Sequence, residues 1–229
     1  MSEHRNNILE DPDLHNTEYV FADRSDAGRS LANLLSDHVG SETIVLAIPA
    51  GGVPVAVTLA ETLSLPLDVA VVSKITLPHN TESGYGAVAF DGTVRMNQQI
   101  VRSVGLSQND VETGLNQTKQ KVRNRAKLFR GDRPEPDLTG RPVILVDDGL
   151  ASGVTMQTAV EAVGHRGAQQ VIVAVPTGHA NSVAAGARDV DTLYCANIRE
   201  GLSFAVARAY QNWHDVSENE ALELLQHTA

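Results

Sequence analysis

Five short segments constrain this chain most: TIVLAI (43–48), LDVAVVS (67–73), PVILV (142–146), VIVAVP (171–176) and DTLYCA (191–196) are largely apolar from end to end. A strand with one wet face alternates apolar and polar residues. A strand apolar on both sides must be covered on both, as in a parallel sheet clad with helices. The intervening stretches have helical periodicity. In DAGRSLANLLSDH (26–38), Ala27, Leu31, Leu34 and Leu35 share a face, and Gly40 follows as a stop. Further helices are expected over 53–63, 155–166 and near 179–187. Strand, loop, helix and strand therefore recur as βαβ units. The expected fold class is α/β, with a parallel-sheet, Rossmann-like core.

Residues 75–136 interrupt that rhythm. ITLPHNTESGYGAVAFDGTVRMN suggests short β pieces around Asp91-Gly92, and a long helix is expected over 107–129. On it Val111, Leu115, Thr118, Val122, Ala126 and Phe129 share one face, and the basic residues at 119, 121, 123, 125 and 127 spread over the flanks and back. This region reads as a hood subdomain inserted at the carboxyl edge of the sheet. Residues 1–17 read as a flexible arm, leaving 18–229 as one domain. Ser217 and Glu220 form a capping-box pattern for a last helix over ALELLQ.

Composition narrows the partners. A net charge of −10 argues against nucleic acid. The apolar runs are too short to span a membrane, and the polar start has no signal-peptide character. One cysteine, Cys195, fits a cytoplasmic protein and sits in an apolar run that favours core packing. No histidine pair has metal-ligand spacing. Within this acidic chain, KQKVRNRAKLFRGDR (119–133) holds seven basic residues and one acid. Such an island is either a solvated helix face or the lining of a local anion site, with Lys127 and Arg130 as its candidates.

In open α/β sheets ligands sit at the carboxyl ends of the strands. Three loops there carry chemistry. Pro49-Ala50-Gly51-Gly52 opens a helix, and its paired glycines permit either a tight turn or close approach of an anion. Ser73-Lys74 places a cation at a strand end, functional or merely solvated. VILVDDGLASGVT (143–155) runs from a strand through Asp147 and Asp148 into Ala151, Ser152, Gly153, Val154 and Thr155, small and hydroxyl residues at a helix start. Their N–H groups and hydroxyls make a phosphate cradle. A sugar attached to that phosphate would lie over the strand end, where the two acids could accept hydrogen bonds from vicinal hydroxyls or orient a metal ion. Tyr85, in the inserted region, could stack on a base or pack within the hood.

The stretch 143–155 resembles the phosphoribosyl-diphosphate (PRPP) signature of type I phosphoribosyltransferases. FADRSDAGRSLA (21–32), AIPAGGVPVA (47–56), VSKITLPHNTESGYGAVAFDG (72–92), KLFRG (127–131) and FAVARAYQNW (204–213) are similar to a group known mostly as predicted phosphoribosyltransferases. The resemblance implies a 5-phosphate at 151–155, ribose hydroxyls at Asp147 and Asp148, and pyrophosphate at Ala50, Gly51, Gly52 and Lys74. Its catalytic residues would be Asp147, Asp148 and Lys74, with Mg²⁺ as cofactor. The metal would be held mainly by PRPP, with Asp147 and Asp148 as candidate protein donors. The implied reaction transfers the phosphoribosyl group to a nitrogenous acceptor and releases pyrophosphate. Whether the chain is a homo-oligomer stays open. Ala22, Ala50 and Ser73 stand where the family pattern carries Arg. This departure gives the alternative its ground: a non-catalytic PRPP- or nucleotide-sensing protein.

Overall fold

The computed structural model describes residues 7–36, 40, 42–201 and 203–227. Six strands form a wholly parallel sheet: β1 (Ile8–Leu9), β2 (Ile44–Ala47), β3 (Leu67–Val69), β7 (Pro142–Val146), β8 (Gln170–His179) and β9 (Thr192–Arg199), in the order β1-β9-β8-β7-β2-β3. The apolar runs become strands because both their faces are buried. Val45, Ala47, Ile144 and Val146 face a core beneath α1 (Arg24–Leu35) and α2 (Gly52–Leu63). Their alternates Ile44, Leu46, Val143 and Leu145 face a second core under α5 (Val154–His165) and α6 (Ala180–Gly186). Cys195 is fully buried in the second core.

The insertion is an antiparallel sheet of β4 (Val72–Leu77), β5 (Asn80–Ala89) and β6 (Val94–Met96), followed by α3 (Gln98–Val104) and α4 (Gln108–Arg130). Ser107 starts α4 by accepting from the Asp110 N–H while Asp110 accepts from the Ser107 N–H, a full capping box. A last helix, α7 (Glu218–His227), buries Ala221 and Leu225; at its start Ser217 Oγ accepts from the Glu220 N–H at 3.1 Å.

Two expectations change. The run 67–73 is not one strand. Leu67–Val69 pairs with β2, and from Val72 the chain joins the hood sheet instead. The arm expected over 1–17 is, from residue 7, tied to the sheet: Ile8 and Leu9 pair with Leu193 and Tyr194, and a short turn follows. Buried Asn197 donates to the carbonyls of Leu14 and Thr17, which secures the following turn; residues 1–6 lie outside the described residues. Among the described residues no helix is long and apolar enough to cross a membrane.

Candidate active site

β2 and β7 are neighbours, so the loops at their carboxyl ends meet. Pro49-Ala50-Gly51-Gly52 leads from β2 into α2, with a cis peptide bond between Pro49 and Ala50, and Asp147-Asp148 directly follows β7. The glycines make this juxtaposition possible. A Cβ on Gly51 would stand 2.3 Å from Asp148 Oδ2, and one on Gly52 would stand 2.7 Å from the Val146 carbonyl oxygen. Gly51 has an ordinary helical φ of −57°, so what it supplies is space rather than backbone freedom. Gly51→Ala should therefore cost about 1–3 kcal/mol by overpacking. An Asp148→Ala background should remove most of that penalty. Thermal unfolding of the single and double variants checks this, and equal losses in both backgrounds would contradict it.

The acids are not equivalent. Arg24, at the first turn of α1, donates from Nε and Nη2 to Asp148 Oδ2 at 3.0 and 2.9 Å. Its Nη1 donates to the His214 carbonyl at 2.8 Å, and the guanidinium lies 3.9 Å from the ring centre of Trp213. Tyr210 Oη donates to the Asp148 carbonyl at 2.6 Å. Burial pushes the Asp148 carboxyl above its usual range, against the pull of Arg24. Asp147 accepts from the Asp148 N–H at 2.9 Å. Burial pushes its carboxyl well above the ordinary value and the Asp148 charge adds to the rise, while that N–H, Lys74 and Arg24 oppose it. Lys74 is exposed on β4 and near enough for its charge to act on Asp147. The site thus holds one carboxylate in an ion pair and a second that resists losing its proton.

Beyond the acids, Leu150 pairs with Gly178, and residues 151–155 turn into α5. Gly153 occupies the cap position with φ +76°, and no side chain caps this helix start. Ala151 and Ser152 are exposed; Val154 and Thr155 are half-buried. First-turn N–H groups without a side-chain acceptor, at a positive helix end, suit an anion. In the other loop the N–H groups of Gly52 and Val53 are bonded to the carbonyls of Ile48 and Ala50. That leaves the N–H groups of Ala50 and Gly51 for a ligand.

The structure thus brings Ala50, Gly51, Gly52, Asp147 and Asp148 into one place, with Lys74 in electrostatic reach of Asp147 and 151–155 continuing from the acids. The hood candidates fare differently. Tyr85 is buried against α4, its hydroxyl over Gly114, which is the packing alternative rather than a base-stacking one. Arg130 is corrected outright. It is buried and donates to Asp68 Oδ1 at 3.4 Å, Val69 O at 3.2 Å and Glu135 Oε1 at 3.2 Å, an ion-pair anchor rather than an open anion ligand. Lys127 lies on the exposed side of α4.

Sequence reasoning missed Arg24, Tyr210 and Trp213 as site residues, although the stretches containing them were singled out. Arg24 did carry a signal. A cation in the first turn of a helix opposes the macrodipole, so it needs a partner from elsewhere.

A parallel core, an antiparallel hood and acid and small-residue loops at their junction define the phosphoribosyltransferase type of α/β protein. The chain belongs to the phosphoribosyl transferase domain family, whose model matches residues 22–206. Relatives in two Mycobacterium tuberculosis strains, provisionally named phosphoribosyl transferases, are 37% identical over 206 residues. That match covers 90% of this chain and 46% of each relative, so the chain spans about half their length. The crystal structure of TT1426 from Thermus thermophilus is similar at 32% identity and a TM-score of 0.74, covering 91% of this chain and 99% of that one.

Proposed function

We propose that this chain binds Mg²⁺-PRPP across the carboxyl ends of β2 and β7 and transfers the phosphoribosyl group to a nitrogenous acceptor, releasing pyrophosphate. The observation that carries this reading is the convergence of two loops with available N–H groups on either side of an acidic pair. The 151–155 turn would hold the 5-phosphate, and Asp147 and Asp148 would accept from the ribose hydroxyls. The N–H groups of Ala50 and Gly51, with Lys74, would face the pyrophosphate. Arg24 fixes Asp148 in place, so positioning and electrostatics rather than covalent work by a side chain would drive the reaction.

Among the described residues no group of three or more His, Cys, Asp or Glu could cage a metal ion. The acidic pair fits a supporting role instead, as hard oxygen donors beside a Mg²⁺ that PRPP itself chelates. The metal, when bound, would offset the negative charge of the departing pyrophosphate.

A thermal-shift screen with PRPP, Mg²⁺ and a panel of nucleobases and other nitrogenous compounds, followed by a pyrophosphate-release assay, tests the proposal. PRPP with Mg²⁺ should raise Tm by mass action, and one acceptor should support release. Binding without release for any acceptor would favour the non-catalytic sensor, the reading that Ala50 and Ser73 support. No PRPP binding would end the transferase reading and the PRPP-sensing one, leaving only a sensor of another nucleotide.

A further inference from the structure

The loop Pro49-Ala50-Gly51-Gly52 has no charged side chain of its own, yet a guanidinium reaches it from the hood. Arg125, near the end of α4, donates from Nη2 to the Pro49 carbonyl at 3.0 Å. Its Nη1 donates to the Val72 carbonyl at 3.2 Å and to Ser73 Oγ at 3.3 Å. Nε donates to Glu218 Oε1 at 2.6 Å, and the guanidinium lies 5.7 Å from the Phe129 ring centre. The Arg125 side chain is 13% exposed, while Glu218 is 46% exposed on the solvent side. A single side chain thus joins the loop after β2, the start of β4, the hood helix and the C-terminal helix.

With these four bonds made, little of the fork remains to touch a ligand, so Arg125 acts through what it holds. The peptide unit is planar, and anchoring the Pro49 carbonyl anchors the plane that also carries the Ala50 N–H. A rigid guanidinium fork imposes direction as well as charge on its acceptors. We propose that Arg125 is a positioning residue that presets the Pro49–Gly52 loop for its anion, with Glu218 fixing the guanidinium from the far side. The inference rests on the reading of this loop as the pyrophosphate-facing one.

Hydrogen exchange of the ligand-free protein and titration with inorganic pyrophosphate and Mg²⁺ test it in Arg125→Met, Arg125→Lys and Glu218→Gln. Arg125→Met keeps an apolar stem against Phe129 and removes the donors. The amides of Gly52 and Val53, bonded to the carbonyls of Ile48 and Ala50, should then exchange about tenfold faster or more, while those of α5 keep wild-type rates. Pyrophosphate affinity should fall by roughly the same factor. Arg125→Lys, a point charge without the fork, should restore only part of both. Glu218→Gln should show the same changes in smaller measure, and it decides the matter if Arg125→Met does not fold.

Unchanged exchange at Gly52 and Val53, or a uniform rise across the sheet, would overturn the preset loop in favour of ordinary stabilisation. Faster loop exchange with unchanged pyrophosphate affinity would overturn the loop's part in anion binding. A wild-type protein that binds neither pyrophosphate nor PRPP would instead refute the parent reading, and the exchange result would still decide whether Arg125 holds the loop.

Discussion

Arg24→Met is expected to be the most damaging single substitution at the site, costing about 3–5 kcal/mol of stability. The mutation leaves Asp148, half-buried beside Asp147, without its cation, and it also breaks the bond to the His214 carbonyl and the stack on Trp213. For a domain of this size each kcal/mol is worth roughly 2–4 °C in Tm. Trp213 is the only tryptophan in the chain, so fluorescence-detected urea unfolding reports directly on this corner. Most of the loss should come from the stranded charge rather than the missing contacts. Arg24→Met with Asp148→Asn should therefore recover a large part of it. Removing Arg24 also removes the group that lowers the Asp148 pKa, so the single variant should recover on acidification as Asp148 takes up a proton. A double variant no more stable than Arg24→Met would show that Arg24 matters through packing on Trp213 and not through the acid.

The contrast between Arg24 and Arg125 shows what was legible in the sequence. The core strands were readable because residues such as Val143 to Val146 are buried on both faces and so are apolar without alternation. The β3–β4 transition was not. Residues 67–77 form one β-like run between Pro66 and Pro78, and the change of sheet near Ala70 and Val71 leaves no turn residue as a mark. The acidic pair and the 151–155 turn were readable because contiguous residues build them. Arg24 and Tyr210 reach Asp148 from both ends of the domain, with Trp213 stacked on Arg24, and such an encounter is tertiary.

Arg125 was within reach. Positions 118, 122, 125 and 129 keep the same inward spacing, and Thr118, Val122 and Phe129 are buried while Arg125 is half-buried. A default that assigns alternating basic residues to the solvent hid it. Arg130 reads as a candidate for an anion site because its charge in a basic island gives no sign of a partner, when its guanidinium is taken up by Asp68 and Glu135.

Asp147→Asn should move stability and ligand binding in opposite directions. The Asp147 carboxyl titrates near its ordinary 3.8 in an unfolded chain and well above that in the folded one, mainly through burial. Between those values the folded state binds more protons than the unfolded state, so stability declines as pH rises through that window. Above it the full penalty of a partly desolvated charge beside Asp148 is present. Asparagine carries no charge, and its oxygen can still accept from the Asp148 N–H. The variant should consequently melt a few degrees higher than wild type at neutral pH, with the gain fading to nothing below about pH 4. Binding should suffer in exchange: losing a charged acceptor for a ribose hydroxyl should weaken Mg²⁺-PRPP by about 1.5–3 kcal/mol. Melting curves across pH and calorimetric titration of the same preparations measure both effects. A variant less stable than wild type at neutral pH would mean that Lys74 and Arg24 already compensate the Asp147 charge. A more stable variant that still binds PRPP normally would remove Asp147 from the ligand site.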